Sequence, residues 1–231
     1  MFSQYATKQL PPRLDYKPIG GDWYDADYLS GKKSNWVAPY CWENFRHIFD
    51  TWAKILVNGF PEAKNFLDVG CATGMLERSM TEMRRRKHLG YEIEGFDHSP
   101  AMMLSCEEKA RPFITQASVD DFFFTKRYDV MVSLDVFEHL TEEQALRFLQ
   151  KSRYYVNDCL FFVIALDEPR QRAEPSHINL KDRKYWHETF LRCGWVHTKE
   201  HEFMQRIAMS EDNIKRLEVE IFIYGANNGA I

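Results

Sequence analysis

The most constraining feature of the chain is residues 65–76, N-F-L-D-V-G-C-A-T-G-M-L. Phe66, Leu67 and Val69 form a short apolar run closed by Gly70, the pattern of a buried parallel strand that stops at a glycine. Gly70 and Gly74 bracket a tight turn, and a helical pattern starts at Met75. Strand, glycine turn and helix N-terminus together make a cradle for a nucleotide-like ligand, because glycine lets the backbone come close. The spacing is Gly70-x-Ala72-x-Gly74 rather than the G-x-G-x-x-G of a dinucleotide site, which argues against a nicotinamide oxidoreductase.

A chain of 231 residues is long enough to bury a full α/β core around such a cradle. The periodicity predicts strands at residues 91–97, ending on Asp97, at 113–116, at 128–134 and at 159–166, the last being the most hydrophobic run of the chain. Between them lie helical patterns: one after Gly74 whose end carries the basic run Arg84-Arg85-Arg86-Lys87, one capped by Ser99 with Pro100 in its first turn, one capped by Thr141, and one over 181–193. Residues 195–203 and 217–224 read as two closing strands. Alternation of α and β followed by a β-rich end predicts an α/β fold.

The N-terminal third differs in composition. Residues 1–21 are polar and rich in proline and glycine, as expected of an extended arm. A dense aromatic segment follows, with Trp23, Tyr24, Tyr28 and Trp36 set among polar residues, and Phe45, Ile48, Phe49, Trp52 and Leu56 at helical spacing. The helical set reads as a packed helix, whereas the first four suit either a lid over a substrate or ordinary packing. The expected division is residues 1–60 as arm, aromatic lid and helix, and residues 61–231 as the ligand-binding domain.

With 30 basic and 34 acidic residues the net charge is −4, which argues against a general nucleic-acid or anionic-membrane surface. Five scattered cysteines with no C-x-x-C fit a reduced, cytoplasmic setting without a structural zinc site. No window approaches the roughly 20 apolar residues of a membrane span, and the N-terminus lacks a signal-peptide pattern.

Taken together, Asp68-x-Gly70-x-Ala72-x-Gly74, the Asp97-x-Ser99-Pro100-x-Met102 continuation and the Tyr128-Asp129-Val130-Met131-Val132-Ser133-x-x-Val136-x-Glu138-His139-Leu140 passage resemble the class I S-adenosylmethionine (SAM) dependent methyltransferases. Ala72 stands where that family often has its middle glycine. The resemblance covers about residues 63–203 and implies a Rossmann-like, mostly parallel sheet of seven strands with helices on both faces and a C-terminal antiparallel hairpin. It implies SAM as cofactor, lined by Asp68, Gly70, Cys71, Gly74, Asp97, His98, Ser118, Val119 and Leu134. Asp97 would accept hydrogen bonds from the ribose hydroxyls, and Ser118 and Val119 would flank the adenine, with Asp120 and Asp121 two residues late for that role.

The transferred methyl of a sulfonium is already electrophilic, so the protein's task is to align an acceptor and, where needed, to remove its proton. Glu138, His139 and His177 are the candidate catalytic residues, His139 being first choice for a base, although a histidine bracing the strand end is an equal reading. Trp23, Tyr24, Tyr28, Trp36 and Arg170 are the candidate substrate residues. The expectation is a small polar acceptor, with O-methylation favoured, no membrane association, no nucleic-acid partner and no metal. Two alternatives stay open. Asp135-x-x-Glu138-His139 with His177 resembles the E-x-x-E-H…H arrangement of metal-dependent O-methyltransferases acting on RNA ribose ends or quinone precursors, with Asp135 one methylene short of the usual glutamate. A SAM-binding regulatory or partner protein without catalysis is the other.

Overall fold

The computed structural model describes residues 19–33, 38–215 and 219–226. Trp36 and most of the expected arm lie outside the described residues.

Six strands form one sheet in the order β3-β2-β1-β4-β5-β6: β1 (Asn65–Val69), β2 (Glu92–Asp97), β3 (Ile114–Gln116), β4 (Tyr128–Leu134), β5 (Val156–Ile164) and β6 (Glu220–Gly225). The first five pair in parallel and β6 runs antiparallel to β5. The sheet order reverses direction between β1 and β4, so the turns leaving these two strands open the crevice where such sheets bind ligands.

Helices cover both faces because the inner strands are apolar on both sides. On one face α2 (Trp42–Gly59), α3 (Met75–Lys87), α7 (Lys199–Ser210) and the short α8 (Asp212–Lys215) bury Trp52, Leu56, Leu76, Met80, Ala208 and Ile214 against Phe66, Val130, Val132, Phe161 and Ile223. On the other, α5 (Glu142–Ser152) and α6 (Arg183–Arg192) bury Phe148, Leu149, Trp186 and Phe190 against Met131, Leu160, Phe162 and Phe222. The alternation of neighbouring β5 residues between the two cores is what period-2 side-chain geometry requires of a central strand. No helix among the described residues is long and apolar enough to cross a membrane.

The expected helix starts are present: Thr141 and Gln144 form a capping box on α5, and the Ser99 Oγ accepts from Met102 N at the start of α4 (Pro100–Leu104). The expected strand over 195–203 is the main departure. Trp195 is buried, Val196 makes a single bridge to Gly225, and the chain then turns into α7. The cause is local. Thr198 accepts from His201 N, and the His201 side chain accepts from Thr198 N, a capping box that starts a helix where the sheet edge has room for one bridge only. The sheet therefore has six strands among the described residues rather than seven, with its antiparallel C-terminal pair in place.

Candidate functional site

The glycine turn is built as its sequence demands. Gly70 and Gly74 adopt φ of +74° and +80°, where a side chain would be strained. A Cβ on Gly70 would collide with Val136, and one on Gly74 would sit 2.6 Å from the Ala110 Cβ. Ala72, in the middle of the turn, also has positive φ (+48°), so it adopts the backbone shape of the glycine the family often has there. Gly70 N and Cys71 N donate to the Phe96 carbonyl, fixing the turn to the end of β2.

Asp97 completes that junction. Its two carboxylate oxygens accept from Ala72 N at 3.0 Å and Ser99 N at 2.8 Å. Each oxygen keeps a second lone pair, so the carboxylate retains acceptor capacity for a ligand. Burial raises its pKa, opposed by those backbone N–H groups. His98 is half-buried, its Nδ1 3.8 Å from the Asp97 carboxylate. Of the remaining expected cofactor residues, Cys71 and Val119 are buried, Leu134 is half-buried at the end of β4, and Ser118 donates to Asp121 and accepts from its N–H, a closed local turn. Asp120 faces away, paired with Gln144 and Arg147 of α5.

The aromatic N-terminal segment lies against this turn. A 3-10 turn at Gly21–Trp23 and α1 (Ala26–Leu29) place Tyr24 and Tyr28 edge to face with centroids 4.9 Å apart, both buried, in a cluster with Trp23, Ala72, Met102 and Met103. Ser99 Oγ donates to the Tyr24 carbonyl at 2.9 Å, so the residue that caps α4 also ties the segment down. The Tyr24 ring meets His98 and His139 at 5.5 and 5.8 Å. Trp23 carries Lys33 over its ring at 5.2 Å, and its buried indole N–H has no partner among the described residues.

At the end of β4 the chain makes its second strained turn. Asp135 has φ +55° and donates its N–H to Val163, and Val136 packs beneath Gly70. A 3-10 turn at Phe137–His139 follows, anchored by the fully buried Phe137. Glu138 is fully buried, Oε1 accepting from Ala165 N at 3.3 Å while Oε2 has no partner among the described residues, and burial raises its pKa well above the usual carboxylate range. His139 Nδ1 meets the Ser176 carbonyl at 3.0 Å and His177 Nδ1 the Gln171 carbonyl at 2.9 Å. A carbonyl only accepts, so each Nδ1 carries the proton and each Nε2 offers a free lone pair. The two rings lie 4.8 Å apart. Burial, reinforced by His177, pushes the His139 pKa down to about 3, and burial lowers that of His177. Both imidazoles are therefore neutral near pH 7. Glu138, His139 and His177 each offer a ligand atom, all within 4.8 Å of one another, the donor set of a divalent cation.

Arg170 lies exposed before the short 3-10 turn Gln171–Ala173. The nearby Arg172 forks onto Asp167 at 2.7 and 2.9 Å.

Three contributors escaped the sequence reading. Buried Asn179 donates its backbone N–H to the Glu138 carbonyl and its side chain to the Phe137 carbonyl, joining the loop after β5 to the turn after β4. Buried Glu174 accepts from Ser176 Oγ and braces the residue that orients His139. Glu77, in the first turn of α3, lies fully buried beneath the glycine turn facing Asp68. A charged residue on the inward face of α3 was the one signal that could have marked it.

The fold is that of solved methyltransferases. A Nostoc punctiforme protein assigned as an O-methyltransferase superposes with a TM-score of 0.58 at 12% identity, over 78% of this chain and 56% of its own. The magnesium protoporphyrin IX methyltransferase of Synechocystis, with bound SAH (the demethylated product of SAM), gives 0.56 at 15% identity over 79% and 83%, and the plantazolicin methyltransferase, in complex with a substrate analogue and SAH, gives 0.55 at 13% over 78% and 83%. This chain thus spans little more than half the length of the Nostoc protein. No curated protein sequence matches it. Residues 43–206 match the family described as a methyltransferase domain, a stretch that runs from α2 through both strained turns and the paired histidines. The chain belongs to that family and is built as a class I SAM-dependent methyltransferase.

Proposed function

We propose that this protein binds SAM in the crevice between the turns after β1 and β4 and O-methylates a small polar acceptor beside His139 and His177. The residues present suit such a cofactor. Glycines allow close backbone approach at residues 70 and 74, and the buried carboxyl groups of Asp68 and Asp97 offer acceptor oxygens to such a ligand. Asp97 would take the ribose hydroxyls, and Cys71, His98, Ser118, Val119 and Leu134 would line the rest. Bound there, the cofactor supplies an electrophilic methyl group.

The observation that carries the reading is the pair of neutral imidazoles, each held by a backbone carbonyl at Nδ1 and each leaving Nε2 free, against the buried Tyr24 ring. A fixed neutral imidazole can accept the proton of a hydroxyl as it attacks, and a site sealed by Tyr24 and Tyr28 keeps water from competing.

A second reading rests on the same residues. An imidazole with a pKa near 3 holds a proton poorly, whereas Glu138, His139 and His177 together form a ready cation site, and each histidine has the outer-shell carbonyl typical of metal ligands. A divalent ion there would make an acceptor hydroxyl more acidic.

One experiment separates these readings. The protein is incubated with methyl-labelled SAM and a desalted host extract, with and without EDTA, and label is measured in small-molecule, RNA and protein fractions. Small-molecule label that survives EDTA supports His139 acting alone; label abolished by EDTA, and His177→Ala with less bound metal, supports the metal centre. Label in RNA or protein overturns the small-molecule acceptor. No label in any fraction, with SAM binding demonstrated, overturns catalysis in favour of a SAM-binding regulatory protein.

A further inference from the structure

Beneath the glycine turn lies an arrangement that the acceptor chemistry does not use. Glu77 has no solvent exposure, neither of its carboxyl oxygens has a hydrogen-bond donor among the described residues, and it lies against Gly95, the register partner of Asp68. Asp68 is itself buried at 3% exposure, with Oδ1 lacking any further partner. The Glu77 carboxyl group is wedged between strand and turn: a side chain at Gly95 would collide with it and with Cys71, and one at Gly74 would lie 3.7 Å from it. Among the described residues no cation reaches the pair. The adjacent Arg78 is committed to Glu82 and Glu107. Two carboxylates cannot both ionise side by side in such a place; one proton held between them removes the repulsion and satisfies an oxygen of each.

The charged and titratable groups around the pair come from every neighbouring element: Asp97 at the end of β2, Cys71 in the turn, Cys106 after α4, and Tyr40 ahead of α2. His98 faces Asp97 from the rim. Loss of a shared proton adds one negative charge to this acidic cluster.

We propose that Asp68 and Glu77 share one proton in the free protein and release it to solvent when the positively charged cofactor binds above them. The pair thereby sets the affinity for SAM and its preference over SAH, whose sulfur is neutral. The O–H bond of the shared carboxyl breaks, the proton passes to buffer, and the added negative charge remains under the bound sulfonium. Burial raises the pKa of both groups, Glu77 to about 8 and Asp68 well above the usual carboxylate range, so a proton is held at neutral pH and is available for release. The proposal rests on the cofactor assignment and is independent of which acceptor is methylated. Glu77 acts here as a positioning residue, through Asp68.

The test is isothermal titration of the full chain with SAM and with SAH at pH 6, 7.5 and 9, each in two buffers of different ionisation enthalpy. The expected result is release of close to one proton with SAM at pH 7.5 and fewer with SAH. Affinity for SAM should strengthen by up to about tenfold per pH unit below pH 8, so that the preference for SAM over SAH grows with pH. SAH carries the same amino and carboxyl groups as SAM, so their titration cancels in the comparison. Glu77→Gln, which mimics the protonated form and can still donate to Asp68, should show a preference for SAM over SAH nearly independent of pH and release no more protons with SAM than with SAH. Equal heats in both buffers for the native protein overturn the proposal, as does undiminished release from Glu77→Gln. If that variant fails to fold, the native titration alone decides. A chain that binds neither ligand overturns the cofactor assignment and this inference with it, whereas proton release without methyl transfer to any acceptor leaves the inference standing and removes the acceptor reading.

Discussion

Ala72 holds a conformation that Gly70 and Gly74 hold at less cost. At φ +48° its Cβ crowds the backbone, a strain of about 1–2 kcal/mol for a residue with a side chain. Ala72→Gly removes the strain, gives back part of it through the larger entropy of the unfolded chain, and loses one half-buried methyl. A net gain of about 0.5 kcal/mol follows, seen as a rise of about 1–2 °C in Tm by thermal melting. A fall in Tm would mean that the Ala72 contact with the Tyr24 cluster outweighs the strain. Asp135, at φ +55° after β4, is the other strained side-chain-bearing residue at the site. Two such turns facing one crevice are what is expected where backbone shape serves a ligand rather than stability. The glycines and Asp68, Asp97, Glu138, His139 and His177 were legible as residues because their spacing is short and local. Their tautomers and partners were not, because Ser176, Gln171 and Ala165 arrive from a distant loop.

At the scale of elements, Ser99 does two jobs with one hydroxyl. It caps α4 by accepting from Met102 N and holds the aromatic segment by donating to Tyr24 O. Ser99→Ala loses a cap, about 1 kcal/mol, and leaves a buried carbonyl unpaired, about 1 kcal/mol more. Urea unfolding should show that loss of about 2 kcal/mol, and chymotrypsin should cut at Trp23, Tyr24 and Tyr28 faster than in the native protein. Unchanged cleavage would show that ring packing alone holds the segment. The capping signals at Ser99 and Thr141 were read correctly from sequence because a cap is a contact three residues long. The same kind of signal at Thr198 was passed over in favour of a strand. Trp195 and Val196 are apolar, but Val196 makes a single bridge, to Gly225, before the chain turns into α7. The capping box at Thr198, a local contact, turned the expected strand into α7.

For the whole molecule, the concentration of buried acids under the crevice links stability to pH. Glu77 has its pKa raised from 4.5 to about 8 in the folded state, so the folded protein binds more protons than the unfolded chain between those values. The stabilisation is fully present below about pH 4.5 and is lost as pH rises through 8. Measured by urea unfolding at pH 5 and pH 9, the native protein should therefore lose stability relative to Glu77→Gln, by an amount on the order of a few kcal/mol. A stability difference between the two that does not change with pH would show that Glu77 is not held neutral.

The sequence by itself determined the parallel α/β sheet, the glycine cradle, the acid at the end of β2 and the family, because each depends on patterns within a strand, a turn or a single α-helical repeat. It took the assembled fold to hold His139 and His177 each through Nδ1 on a backbone carbonyl, to give α7 in place of the edge strand, and to set Glu77 opposite Asp68. Each of these depends on which loops meet at the crevice and on how much water is excluded there. Desolvation and long-range backbone contacts are properties of the assembled fold, and no spacing along the chain encodes them.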